Sequence, residues 1–410
     1  MKTAMSTIRE RYDALRALGL KLDLTRGQPG DDNFDVSNAM LTIVDDKSLV
    51  TPSGVALRNY PGGVAGIKEA RELFAPMLGV APDEIIVGNN ASLTLLGQAL
   101  MWAMLKGVPG GAAPWCKAGA KVIVTVPGYD RHFLMLERLG FEMIPVGMNS
   151  DGPDIATIEK LVASDASIKG LLYVPTYSNP TGDTTSQAVA ERLGSMKTAA
   201  PDFTIFADDA YAVHHLDDTP PAHPDLLGPA KKAGNATRVI LFGSTSKITF
   251  AGAGISFLGG SKQTIVWMSE LMGTQMITPN KVEQYRHVLF LSRYPGGIAG
   301  VMKAHAKLLA PKFAAVDEVL TRELGGKRLA RFSKPKGGYF VSLDTEKPVA
   351  SKVVQLAKEA GVALTPAGAT YPFGKDPNDR NIRISPTRPP LDQVRKAMEV
   401  VAVCVQLASE

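Results

Sequence analysis

Short apolar runs recur along the middle of the chain, separated by segments whose apolar residues repeat at helical spacing. The runs are "EIIVG" (84–88), "KVIVTV" (121–126), "FEMIPV" (141–146), "IKGLLYV" (168–174), "FTIFA" (203–207), "RVILF" (238–242) and "GISFLGG" (254–260). Most are β-branched and apolar throughout, the pattern of strands covered on both faces. Segments such as "LTLLGQALMWAML" (93–105) and "AVAERLGSMKTAA" (188–200) read as intervening helices. This alternation predicts an α/β fold built on an open, mostly parallel sheet.

Beyond residue 300 the rhythm changes. A helix-rich stretch (300–323) leads to "KGGYFVSLD" (336–344), a helix (350–360), "NIRIS" (381–385) and a final helix (391–407). The expected organisation is a large domain over 51–299 and a smaller α+β domain formed by 1–50 with 300–410. The Gly/Pro-rich "GVPGGAAPWCKAGA" (107–120) reads as a loop within the large domain.

Composition narrows the class only a little. With 45 basic and 40 acidic residues the net charge is +5, and no concentrated Lys/Arg run marks a nucleic-acid surface. Cys116 and Cys404 are the only cysteines, which suits reduced thiols and a cytoplasmic protein better than a disulfide framework. Charges at Arg9, Glu10, Arg11, Asp13 and Arg16 interrupt any signal-peptide core, and no apolar stretch approaches the roughly 20 residues that span a bilayer. Neither a membrane nor a metal is expected; the adjacent His214 and His215 read as loop residues.

Ligands of open parallel sheets gather beyond the carboxyl ends of the strands. There the sequence places "TYSNPTGDT" after "GLLYVP", "DDAY" after "FTIFA", and "GSTSK" after "RVILF". Each has an ordinary explanation alone: a turn, a helix-capping acid, a solvated lysine. Together they hold the groups that pyridoxal 5'-phosphate requires. Lys247 supplies an amine for the aldehyde, and Asp208 a carboxylate for the pyridine nitrogen. Asn179 and Tyr211 can donate to the phenolic oxygen. The phosphate suits small residues at a helix start, which "NNASL" (89–93) offers through Asn90, Ala91 and Ser92, joined by Ser244 and Ser246.

Over nearly its whole length the chain resembles the fold-type I, class I/II aminotransferases that depend on this cofactor. The marks occur in order: "LTRGQP" (24–29), "NYPGGVAGIKEAR" (59–71), "VPGY" (126–129), "SNPTG", "DDAY", "STSK" and "NIRIS". The resemblance implies a glycine loop over the substrate at Gly27, and a homodimer in which Tyr60 reaches the partner subunit's cofactor phosphate. It further implies that Tyr129 stacks on the cofactor ring, that Asn179 and Arg383 hold the substrate, and that Lys247 is catalytic. Arginine suits a carboxylate clamp because it can donate two parallel hydrogen bonds.

One position departs from the family. Its usual phosphate-binding arginine, eight residues after the lysine, is here Ile255. The glycines nearby do not form a dinucleotide loop either, because Phe257 stands where the third glycine of G-x-G-x-x-G would be. The wording around the lysine resembles a bacterial subgroup of aspartate aminotransferases and the catalytic domains of MocR-type regulators. L-aspartate with 2-oxoglutarate is the expected pair of small-molecule substrates, with Arg26, Arg286 or Arg388 as candidate cations for a distal carboxylate. Alanine, an aromatic amino acid, or a β-lyase reaction are the alternatives.

Overall fold

The computed structural model describes residues 7–410. Its strands, in chain order, are β1 (Leu22–Leu24), β2 (Ile85–Val87), β3 (Lys121–Val126), β4 (Glu142–Asn149), β5 (Gly152–Pro153), β6 (Ile168–Tyr173), β7 (Thr204–Asp208), β8 (Val239–Ser244), β9 (Ser256–Gly260), β10 (Ala330–Phe332), β11 (Val341–Thr345), β12 (Val362–Leu364) and β13 (Asn381–Ile384). Eight of them form one sheet in the order β2-β9-β8-β7-β6-β3-β4-β5. The stretch from β8 to β4 is parallel throughout, as the apolar runs predict. β9 runs antiparallel to both of its neighbours, and β5 turns back on β4, so the flanks are mixed.

Side chains alternate across this sheet with the strand period of two. In β7, Ile205 and Ala207 join one apolar cluster while Phe206 joins the cluster on the other face. In β8, Val239 and Leu241 face the first cluster, and Ile240 and Phe242 the second. Both faces are dry, which is why these strands read as unbroken apolar runs. β4 differs. Only Met143 and Val146 are buried along it, and it continues to Asn149, beyond the apolar run, with β5 alone covering its outer edge.

A second core lies at the far end of the chain. Three antiparallel strands, β10-β11-β13, and the parallel pair β1-β12 pack with the helix Leu391–Ser409. The strand expected over 336–344 begins only at Val341. Gly337 and Gly338 are bent against Tyr177, and a Cβ on Gly337 would lie 2.2 Å from that ring. The long helix Gly297–Leu324 serves both cores: Val301 and Met302 pack toward the large sheet, Phe313 to Leu324 toward the terminal cluster. The N-terminal segment also divides, with Tyr12 and Leu24 in the terminal cluster and Met40 in the sheet cluster. Among the described residues, no helix is long and apolar enough to cross a membrane.

Four histidines are buried within this framework: His132, His214, His287 and His305. His287 sits between Thr245 Oγ1 (3.0 Å), Thr249 Oγ1 (2.9 Å) and the Glu283 carbonyl (2.8 Å), while His305 Nδ1 lies 3.2 Å from Asn33 Nδ2. Burial pulls His287 and His305 from the ordinary 6.5 down to about 4, and burial with the nearby Lys247 charge pulls His214 to about 3. The unfolded chain therefore binds protons that the fold refuses. This contribution to stability is intact above about pH 6.5 and is lost as pH falls toward about 4. The melting temperature is expected to drop over that interval. His305→Gln, which keeps an acceptor for Asn33, should flatten part of the drop; identical profiles for the two proteins would count against this account.

Candidate active site

The carboxyl ends of β3, β6, β7 and β8 converge on a cavity of about 150 Å³. Nine residues singled out from the sequence line it: Ala91, Ser92, Tyr129, Asn179, Asp208, Tyr211, Ser244, Ser246 and Lys247. Asp208 and Ser244 are the last residues of β7 and β8; the parallel register sets Asp208 beside Phe242, with Ser244 two residues farther along toward the same edge of the sheet. Tyr129 lies just past β3, and Asn179 in the loop after β6.

Asp208 is the anchor of one wall. Its side chain is 3% exposed; His132 Nε2 lies 2.9 Å from Oδ2, while Oδ1 is buried with no hydrogen-bond partner. A carboxylate oxygen left alone in a cavity invites a donor, since an unsatisfied buried polar atom costs about 1–3 kcal/mol. His132 carries no mark in its own right. It sits one helical turn after Tyr129, on the helix Asp130–Arg138, and the two rings meet edge to face at 5.0 Å. That i, i+3 spacing was the available signal. Burial, followed by the Asp208 charge, pushes the Tyr129 hydroxyl up to about 12.

Lys247 faces Asp208 from the turn after β8. Its Nζ lies 5.0 Å from the centre of the Tyr211 ring and 5.9 Å from that of Tyr339. Burial lowers the ammonium's pKa below the ordinary lysine value, and the Asp208 charge opposes the shift. The backbone of Lys247 is held as well: His214 Nε2 lies 3.3 Å from its carbonyl oxygen, to which the Tyr339 hydroxyl donates at 3.5 Å. His214, expected to be a plain loop residue, is thus a buried support of the lysine turn. His215 turns elsewhere, with Nδ1 2.7 Å from the Tyr177 hydroxyl.

The cavity is also lined by small residues and hydroxyls at a helix start. The helix Ser92–Lys106 starts without a side-chain cap, after Ala91 in a positive-φ conformation (φ 70°) that few non-glycine residues adopt. Its free N–H groups and the Ser92, Ser244 and Ser246 hydroxyls form a neutral, donor-rich cradle. Ile255 supplies no cation. It is 1% exposed and packs in the sheet core, while its N–H donates to Thr245 Oγ1 at 3.0 Å. An amine, an unpartnered carboxylate oxygen, and a cradle of hydroxyls and N–H groups fit pyridoxal phosphate.

The remaining predicted residues lie around this centre. Arg383, on β13, is 5% exposed and donates through Nη1 to Asn179 Oδ1 at 3.4 Å and to Asp130 Oδ1 at 2.7 Å. Gly27 is pressed against Phe340, whose ring lies 5.0 Å from the Arg383 guanidinium; a Cβ at Gly27 would come within 2.3 Å of the ring. Asn90 does not line the cavity and donates instead to the Ala251 carbonyl at 3.2 Å. Tyr60 is 66% exposed and stands outside the cavity of its own chain. Its loop is fixed by Lys281, a buried residue whose Nζ donates to the carbonyls of Ala56 (2.7 Å), Asn59 and Pro61. Of the three arginines considered for a distal carboxylate, Arg286 pairs with Glu283 at 2.9 Å and Arg388 with Asp23 at 3.8 Å. Arg26 is exposed on the segment that holds Gly27.

Similarity to known proteins agrees with this geometry. A sequence model of the family described as "Aspartate amino-transferase" matches residues 1–410. An aspartate aminotransferase of Corynebacterium glutamicum is 44% identical over 406 residues, covering 98% of this chain and 93% of the relative. The crystal structure of an aspartate transaminase from the same organism superposes with a TM-score of 0.95 at 43% identity, over 98% of this chain and 94% of that one. The fold is shared more widely: an alpha-aminoadipate aminotransferase from Thermus thermophilus, complexed with N-(5'-phosphopyridoxyl)-L-leucine, gives a TM-score of 0.76 at 21% identity, over 99% of this chain and 98% of that one. The chain therefore belongs to the aspartate amino-transferase family, and is a pyridoxal-phosphate-dependent aminotransferase of fold type I.

Proposed function

We propose that the enzyme moves the amino group of L-aspartate to 2-oxoglutarate by a ping-pong mechanism. The observation that carries this reading is the pairing of Lys247 with the half-satisfied Asp208 in one cavity, in a chain 44% identical to a named aspartate aminotransferase. When bound, pyridoxal phosphate supplies an electrophilic carbon for the amino group and a conjugated ring that takes up the electrons of a broken Cα–H bond. In this reading Asp208 Oδ1 holds the ring nitrogen protonated, and His132 fixes the other carboxylate oxygen. Tyr129 would cover the ring, and Asn179 and Tyr211 would donate to its phenolic oxygen. Ser92, Ser244 and Ser246, with the N–H groups of the helix start, hold the phosphate.

Lys247 does the proton work. Burial lowers its pKa, which raises the share of free amine at neutral pH that can act as nucleophile and then as base. With the cofactor bound, Lys247 Nζ would be the group that holds and moves the substrate's Cα proton. Arg383 holds the α-carboxylate. Arg26 is our choice for the distal carboxylate, because its segment is tied to Arg383. The Thr365 hydroxyl donates to the Thr25 carbonyl at 2.8 Å and accepts from Arg383 Nε at 3.4 Å.

We further propose a homodimer in which Tyr60 completes the partner's phosphate site. The exposed ring on a loop pinned by the buried Lys281 supports a role outside its own chain. An exposed Cys116 and a buried, unpaired Cys404 suit a cytoplasmic setting.

Absorption spectroscopy tests the core of this reading. The visible band of the cofactor-loaded protein should bleach with aspartate and return with 2-oxoglutarate, and Lys247→Ala should lose turnover by on the order of 10⁴-fold. A band that no amino acid bleaches would sink it. Arg26→Ala should raise the KM for aspartate by roughly tenfold or more while barely moving that for alanine; equal effects on both would remove Arg26 from the distal site. For the dimer, Tyr60→Phe and Lys247→Ala chains are mixed. Hybrids should regain more activity than the two parents together contribute, and confirmed hybrids without that gain would exclude shared sites.

A further inference from the structure

Arg383 is engaged by a carboxylate of its own chain. Nη1 donates to Asp130 Oδ1 at 2.7 Å, a shorter contact than its 3.4 Å approach to Asn179 Oδ1. Nε reaches Thr365 Oγ1 at 3.4 Å, and the Phe340 ring packs against the guanidinium. Among the described residues Nη2 has no hydrogen-bond partner. The two members of the ion pair are unequally placed: the Arg383 side chain is 5% exposed and that of Asp130 37%. A buried cation is thus neutralised by an anion that reaches solvent.

Asp130 can leave this contact at little cost. It is the first residue of the helix Asp130–Arg138, where the uncompensated N–H groups of the first turn favour a negative charge. Arg383 has no such alternative, because a buried guanidinium without a counter-ion is strongly disfavoured. An α-carboxylate gripping the guanidinium fork to fork needs two N–H groups on one edge. The edge formed by Nη1 and Nη2 includes the nitrogen that Asp130 holds. The other edge includes Nε, already turned to Thr365. Either way a second carboxylate beside Asp130 would be repelled by it.

We propose that Asp130 is a displaceable counter-ion of Arg383. It neutralises and aims the guanidinium until the α-carboxylate of an incoming amino acid takes its place, and then swings to the helix start and solvent. This rests on the aminotransferase reading, in which Arg383 holds the α-carboxylate. The exchange sets a specificity threshold: a ligand must bring its own carboxylate to take Arg383 from Asp130. A bare amine cannot make that trade.

The test compares cofactor-loaded wild type with Asp130→Asn, which keeps the size of the side chain and removes its charge. Binding of succinate, a carboxylate that cannot react, is measured by calorimetry. The apparent dissociation constant and maximal rate of the aspartate half-reaction are followed by absorbance. Both ligands should bind the variant roughly fivefold more tightly, the factor expected for removing one partly exposed competing ion pair. Asp130→Glu, which keeps the charge, should bind no more tightly than wild type. Unchanged or weaker binding by a folded Asp130→Asn would overturn the proposal, weaker binding meaning that Asp130 positions Arg383 instead of competing for it. If Asp130→Asn does not fold, Asp130→Ser carries the same expectation. Turnover by the wild type with no tightening in the variant defeats this proposal alone. A wild type that reacts with no amino acid defeats the aminotransferase reading, and this proposal with it.

Discussion

Seating a partly buried amine and a buried carboxylate in one small cavity is the constraint around which the rest of this molecule is arranged. Neither Lys247 nor Asp208 would be tolerated in a dry core without compensation, because transfer of an isolated charge from water is prohibitively costly. The sheet solves this by register. β7 ends opposite Phe242 and β8 runs two residues farther, so that Asp208 and the turn bearing Lys247 line the same opening. His132 satisfies one carboxylate oxygen from a neighbouring helix, and the ring of Tyr211 lies beside the ammonium. The second carboxylate oxygen remains open toward the cavity. The fold thus carries an unmet hydrogen bond where, in the proposed reading, the ring nitrogen of the cofactor would make one.

Much of this was legible before any coordinates. β6, β7 and β8 announce themselves because both of their faces are covered, and the polar residues that follow each run can only gather at one edge of a parallel sheet. Lys247, Asp208, Asn179 and Tyr211 are found by that logic, whereas Tyr129 is named only by the family resemblance of "VPGY". What escaped it is long-range. His132 and Asp208 are 76 positions apart, and nothing local to "YDRHF" says that its histidine will meet a strand end two strands away. Asp130 and Arg383, 253 positions apart, are farther apart still. The short strands β1, β10 and β12 escaped because their pairing, not their composition, makes them strands.

The hydroxyl-lined part of the cavity shows how a missing residue is absorbed. Ile255 occupies the place of an expected arginine and is drawn into the sheet core, where a guanidinium would have no counter-ion. The loop of Ser244 and Ser246 and the uncapped helix start then present dipoles in place of a full charge. Oriented N–H groups bind anions without demanding a partner when the anion is absent, so a neutral cradle is compatible with a dry surrounding in a way that a buried cation is not.

The long helix Gly297–Leu324 has one more implication. Its first turns belong to the core that carries Lys247, its last turns to the core that carries Arg383. In the proposed reading a substrate held between Lys247 and Arg383 would touch both cores as well, so that for the length of a turnover the molecule being changed would share in the packing of the protein that changes it.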